Sequence, residues 1–146
     1  MRQLIYLIMS IMIVFSFFSC SHPYSSLTNV NFRIDFYSGG GFTGVESGIT
    51  ISSQGWAKFW KKNLNSLRQT TDSVAIPSDK MLRITNLMTN PKIFSYNNKY
   101  TGNYTTYLVL AQDIQFNKIS FNDSELPSNM PDVIKDLITE IKEIKK

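Results

Sequence analysis

The 146 residues include one cysteine and one histidine, Cys20 and His22, two positions apart near the amino end. A thiol beside an imidazole is the raw material of a nucleophile and its general base. Here the pair lacks a frame. His22 lies in Ser21–Asn29, a polar, turn-rich stretch with Pro23 and several serines. A catalytic or metal-binding histidine needs partners held on rigid elements, so His22 reads as part of a tether. The sequence has no zinc-type cluster of Cys and His. Two carboxylates are the remaining route to acid–base chemistry. Asp35, Glu46, Asp113 and Asp123 are scattered, however, and no motif pairs them. The expectation is a protein that is not an enzyme and that holds no cofactor and no metal.

Two other stretches carry binding chemistry. The first is Ser38 to Gly44, where Gly39, Gly40, Gly41 and Gly44 surround Phe42. Glycines permit positive φ and close backbone approach. A phosphate-binding loop would end in Gly-Lys-Ser/Thr and open a helix, and neither feature follows. The stretch reads as a loop between antiparallel strands, with Phe42 as a plug onto the core or as the tip of a binding loop. The second is an aromatic–basic patch. Trp56, Lys58 and Trp60 fall on one face of a strand, with Lys61 and Lys62 beside them. Such a patch suits sugar stacking or lipid head groups, and it equally suits plain packing.

The elements that would position these residues follow from periodicity. Phe32, Ile34 and Phe36 alternate with Arg33 and Asp35, as in a half-buried strand. Val45–Ser52 is strand-like. It turns at Ser53-Gln54-Gly55 into Trp56–Lys62, which is preferred as a hairpin strand; an amphipathic helix through Leu67 also fits the spacing. Asn65–Ala75 is polar and reads as a loop. Ser78 is placed to cap a helix from Asp79, with Met81, Ile84, Leu87 and Met88 as its apolar face and Pro91 as its stop. Tyr104–Ala111 and Gln115–Asn122 form a hairpin. Phe116 is out of phase with Ile119 and Phe121, which predicts a bulge near Asn117 or burial on both sides. Pro131 opens a last helix with Val133, Ile134, Leu137, Ile138, Ile141 and Ile144 on one stripe. The fold expected is α+β: an antiparallel sheet of about five strands with two helices packed on it, spanning residues 30–146.

The first twenty residues set the address. Arg2 precedes an apolar run from Leu4 to Phe18, broken only by Ser10 and Ser16. The run is shorter than the roughly 20 residues of a membrane span and suits the apolar region of a secretory signal. Its end, Phe17-Phe18-Ser19-Cys20, resembles the lipobox of bacterial lipoproteins, with Phe17 where Leu is favoured. The resemblance covers the signal alone. It implies a signal peptide at 1–19, lipidation of Cys20, cleavage before it, and a tether at 20–29. A stable anchor needs two or more acyl chains, and the resemblance supplies them. The expected location is the cell envelope, held by lipid, with the outer membrane favoured over the inner because Ser21 is not Asp.

Charge narrows the partners. The formal net charge is +4, and Arg2 would leave with the signal. From Ser21 to Tyr100 there are nine Lys/Arg against four Asp/Glu, and from Thr101 onward five against seven. A modest basic bias on an exported protein suits anionic lipid or polysaccharide better than nucleic acid. The element order, with Ser38–Gly44 and Asn103-Tyr104-Thr105, resembles that of small exported bacterial lipoproteins. The strand followed by Gly40-Gly41-Phe42-Thr43-Gly44 also looks like the opening of emfourin, an inhibitor of thermolysin-type metalloproteases. That likeness implies a loop that blocks a protease cleft. The expected function is thus a membrane-anchored, non-catalytic binding or structural protein. The alternatives are protease inhibition through Gly39–Gly44 and glycan or lipid binding through Trp56 and Trp60. The expected partners are the membrane, through Cys20, and an envelope protein or glycan.

Overall fold

The computed structural model describes residues 30–41 and 44–144. The signal, Cys20, the tether with His22, and Phe42 lie outside the described residues. Alternation in the first described segment becomes β1, Phe32–Gly40, with Phe32 and Ile34 buried and Arg33 exposed. Its neighbours are β2, Glu46–Ser52, β3, Trp56–Lys62, and β4, Gln69–Ala75. After two helices, α1 (Ser78–Met88) and α2 (Lys92–Ser95), come β5, Tyr104–Gln112, β6, Gln115–Phe121, and helix α3, Asp132–Ile144.

The six strands form one sheet in the order β4-β3-β2-β1-β5-β6, and every neighbouring pair is antiparallel. The chain runs outward from β1 to β4, each strand antiparallel to the one before it. It returns through α1 and α2, and lays β5 against the free side of β1. The first strand is therefore central. Successive side chains in a strand point to opposite faces, and the sheet keeps that division. One face presents Ile34, Ile51, Ala57, Leu108, Leu110, Ile119 and Phe121 to Met81, Ile84 and Met88 of α1, Ile93 of α2 and Ile134, Leu137, Ile138 and Ile141 of α3. These residues belong to one core cluster drawn from Val30 to Ile144. Each fully buried aliphatic side chain contributes about 1.5–3 kcal/mol. Ion pairs clip the two long helices together: Lys80 Nζ lies 2.7 Å from Glu143, and Arg83 Nε donates to Glu140 at 2.9 Å.

The α+β expectation agrees with this architecture, and the hairpin at Ser53–Gly55 places Trp56–Lys62 in a strand as preferred. Several details differ. The second half of the expected loop Asn65–Ala75 is a sixth strand, β4. Its burial is almost all exposed, because an edge strand with a polar sequence is held by backbone hydrogen bonds and shows no apolar alternation. A third helix, α2, follows Pro91, which stops α1 and at the same time opens the short turn of helix. Helix α1 begins at Ser78, and no side chain caps it. The bulge expected near Asn117 is absent, since β5 and β6 pair without a register shift. Phe116 simply faces outward, and Asn117 points inward, where its Nδ2 donates to the Tyr96 carbonyl at 2.8 Å. The sheet's bulge lies instead between β3 and β4, at Phe59/Trp60.

Candidate functional site

The helices cover one face of the sheet. Strand register orders the side chains of the other face into rows. At the end where the chain enters β1, pairing aligns Phe116, Ala111, Arg33, Ser52, Trp56 and Ala75 across the six strands. The next row is Lys118, Val109, Asp35, Thr50, Lys58 and Ser73. The third is Ser120, Tyr107, Tyr37, Gly48, Trp60 and Thr70.

The third row is the most highly built. Tyr37 stacks on Tyr107 with ring centroids 4.9 Å apart and meets Trp60 at 5.5 Å. Gly48 stands between Tyr37 and Trp60 in the row. A Cβ at Gly48 would lie 2.5 Å from the Phe36 carbonyl oxygen and would collide with Tyr37, so only glycine lets the rings close over the backbone. Cations cover the rings. The Arg68 guanidinium lies 3.9 Å from the Trp60 ring centre and 5.5 Å from that of Tyr37, and Lys118 Nζ is 4.5 Å over Tyr107. Asp35 anchors the arrangement. It accepts from Thr50 Oγ1 at 2.5 Å and pairs with Arg33 at 3.1 Å and Arg68 at 3.5 Å. Thr50 Oγ1 in turn accepts from Trp60 Nε1 at 3.1 Å.

The two tryptophans therefore share a face and differ in access. Trp60 is 4% exposed, sealed by Arg68, while Trp56 is half-buried and Lys58 exposed. Trp56 and Lys58 line an open cavity of about 620 Å³ together with Arg33, Thr50, Ser52 and Ser73. The cavity combines one aromatic wall, two cations and several hydroxyls, a set able to hold a polar or anionic group.

The glycines sit at the opposite end. Gly39 and Gly40 are the last residues of β1. Gly40 has φ 127°, and a Cβ there would lie 2.5 Å from the Asn103 carbonyl oxygen. Close packing against the segment before β5 thus accounts for that glycine. Gly44 N–H donates to the Gly41 carbonyl at 3.4 Å, and Gly44 abuts Leu64 of the β3–β4 connection. Leu64 and Leu67 are 67% and 88% exposed, and Tyr104, also exposed, opens β5 opposite Gly40 at the same end of the sheet.

Sequence reasoning grouped Trp56, Lys58 and Trp60 correctly on one face. It named Asp35 only as one of several scattered carboxylates, and it did not reach Arg68, Tyr37 or Tyr107. One signal for them was present: a tight turn at Ser53–Gly55 places Gly48 opposite Trp60, and a glycine facing a tryptophan marks an aromatic that folds over the backbone. Among the described residues, no three Cys, His, Asp or Glu side chains gather as a metal site, and no helix is long and apolar enough to cross a membrane. No protein-family model matches the chain, and no curated protein matches it.

Proposed function

We propose that this protein is a lipid-anchored envelope protein of bacteria whose folded part is a non-catalytic binding module. The anchor rests on the lipobox-like end at Cys20. For the module, one observation carries the reading: the chain enters β1 from Val30 at one end of the sheet, while the exposed Leu64, Leu67 and Tyr104 lie with Gly40, Gly41 and Gly44 at the other. The nine residues of β1 separate the two ends, about 30 Å at the rise of a strand. An anchored protein so built holds an apolar, loop-made end away from its membrane, where a partner meets it.

The anchor is tested by Cys20→Ala, followed by detergent partitioning and labelling with a fatty-acid analogue. The expected outcome is loss of label and a move to the aqueous phase; a variant that keeps its label refutes the anchor. The binding end is tested with photo-crosslinking residues at Leu67 and, as a control, at Leu82 on α1, in the native envelope. Discrete adducts from position 67 alone support the reading, and the same adducts from both positions overturn it.

Inhibition of a thermolysin-type protease through Gly39–Gly44 is a second reading. The observation that favours it is the closeness of Gly44 to Leu64, which joins the glycine loop to an exposed apolar neighbour. Titration of the mature protein against such a protease decides it. Undiminished protease activity at micromolar concentrations of the protein rules the inhibitor out.

A further inference from the structure

The tether-side end carries its own unpartnered surface. Val30 and Asn31 lead into β1 between two hairpin turns. Asp113 N–H donates to the Asn31 carbonyl at 3.3 Å, and Ser53 Oγ donates to Asn31 Oδ1 at 3.2 Å. The β5–β6 turn beside this point presents Ile114, which is 100% exposed, and Phe116 is 68% exposed on the open face just behind it. Two large apolar side chains at the tip of a hairpin contribute nothing to this core. On the same row as Phe116 stand Arg33 and Trp56, and Lys58 and Lys118 follow in the next row. The acids nearby are Asp35, which is engaged by Arg33, Arg68 and Thr50, and Asp113, which is exposed in the turn. Cations thus outnumber acids on this end.

We propose that this end is a membrane-docking surface, with the surface of the bilayer that holds the anchor as its occupant. Ile114 and Phe116 enter the headgroup region, Trp56 lies at the boundary, and Arg33 and Lys58 meet lipid phosphates. The length of chain outside the described fold selects this occupant. Nine residues, Ser21–Asn29, lie between Cys20 and Val30 and reach at most about 30 Å when fully extended, so a lipid on Cys20 keeps this end within a short distance of the membrane. Tryptophan and basic side chains are the groups that favour the membrane–water boundary, and apolar tips add burial of the kind that holds interfacial proteins. The inference rests on the anchored reading. It adds orientation: the domain lies against its membrane through the β5–β6 turn and the first row of the open face, and does not swing free.

The test supplies the anchor chemically, so that it stands apart from lipidation in the cell. Residues 20–146 contain the whole core, and Cys20 is their only thiol. That thiol is coupled to a maleimide-headgroup lipid in vesicles of phosphatidylglycerol and phosphatidylcholine, with either plain or brominated acyl chains. Tryptophan emission is expected to fall in brominated vesicles. The fall disappears in Trp56→Phe and in the double variant Ile114→Asp/Phe116→Asp, whose exposed positions leave the circular dichroism spectrum unchanged. It is smaller in vesicles without phosphatidylglycerol. Equal emission from plain and brominated vesicles overturns the proposal, as does quenching that survives the double variant or ignores lipid charge. A failure of Cys20 labelling in cells, in contrast, counts against the anchor alone.

Discussion

The two faces of the sheet solve the same problem with different materials. The helix-covered face is mainly aliphatic, with Phe32 and Phe121 among its members: Ile34, Ile51, Leu108, Leu110 and Ile119 meet leucine, isoleucine and methionine side chains of α1 and α3. Such a face is non-directional, and it is held by area removed from water. The open face has no layer above it and closes itself. Tyr37, Trp60 and Tyr107 fold over Gly48, and Arg68 and Lys118 lie on the rings. The aliphatic face therefore tolerates changes of detail but not of volume, whereas the aromatic face depends on one missing Cβ and on one long side chain from a loop.

Substitutions separate the two. Leu137→Ala on α3 empties a fully buried site and is expected to lower unfolding stability by about 2–5 kcal/mol, measured by urea denaturation. Gly48→Ala works in the opposite sense, by overfilling the open face, and is expected to lose about 1–3 kcal/mol. A Gly48→Ala protein as stable as the parent would show that the rings do not need the gap. Arg68→Ala removes a partly exposed cation worth about 0.5–1 kcal/mol on an aromatic ring and an exposed pairing with Asp35 worth little. Its larger signature is optical: with the lid gone, Trp60 becomes open to acrylamide quenching while the melting temperature shifts only slightly. Unchanged quenching would mean that backbone, not Arg68, seals the ring.

Two smaller effects probe the elements around the faces. Ser78→Ala is expected to leave stability within about 0.5 kcal/mol, because no side-chain cap bond exists at the start of α1 and surface changes away from such features are near neutral. A loss near 1 kcal/mol, typical of a removed cap, would contradict that. Tyr96, packed against the core with its hydroxyl donating to Asn129 Oδ1 at 3.2 Å, has its pKa raised above the ordinary 10.0 by burial, with Lys135 opposing. A raised phenol favours the protonated, folded form. Its contribution is fully present below pH 10 and is lost as pH rises through the folded-state value. Thermal melts from pH 9 upward should show a steeper decline for the parent than for Tyr96→Phe.

Most of the architecture was legible in the chain because it rests on local pattern. The alternation in Phe32–Phe36, the turn at Ser53–Gly55 and the stripe from Ile134 to Ile141 each state their own element. Strand β4 was not legible: Gln69–Ala75 is polar nearly throughout, and only the ladder with β3 makes it a strand. The position of Phe116 was misread for a related reason. Its burial was assumed from its type, and an outward-facing phenylalanine at a sheet end breaks that assumption without any bulge. The aromatic–cation site was half legible. Trp56, Lys58 and Trp60 share a strand face by spacing alone, but Arg68 reaches Trp60 from the β3–β4 connection, and no periodicity links them.

By itself, the sequence determined where its polar and apolar side chains can go: an apolar run ahead of Cys20, alternating strands and one strongly amphipathic helix. These follow from the period of the backbone and the chemistry of each side chain. The tertiary structure alone decided which residues meet across strands. Register set Gly48 between Tyr37 and Trp60, brought Phe116, Arg33 and Trp56 into one row at the end where the chain enters β1, and sent Leu64, Leu67 and Tyr104 to the other. Those meetings join residues far apart in the chain, and strand pairing over such separations is fixed only when the whole sheet closes around its core.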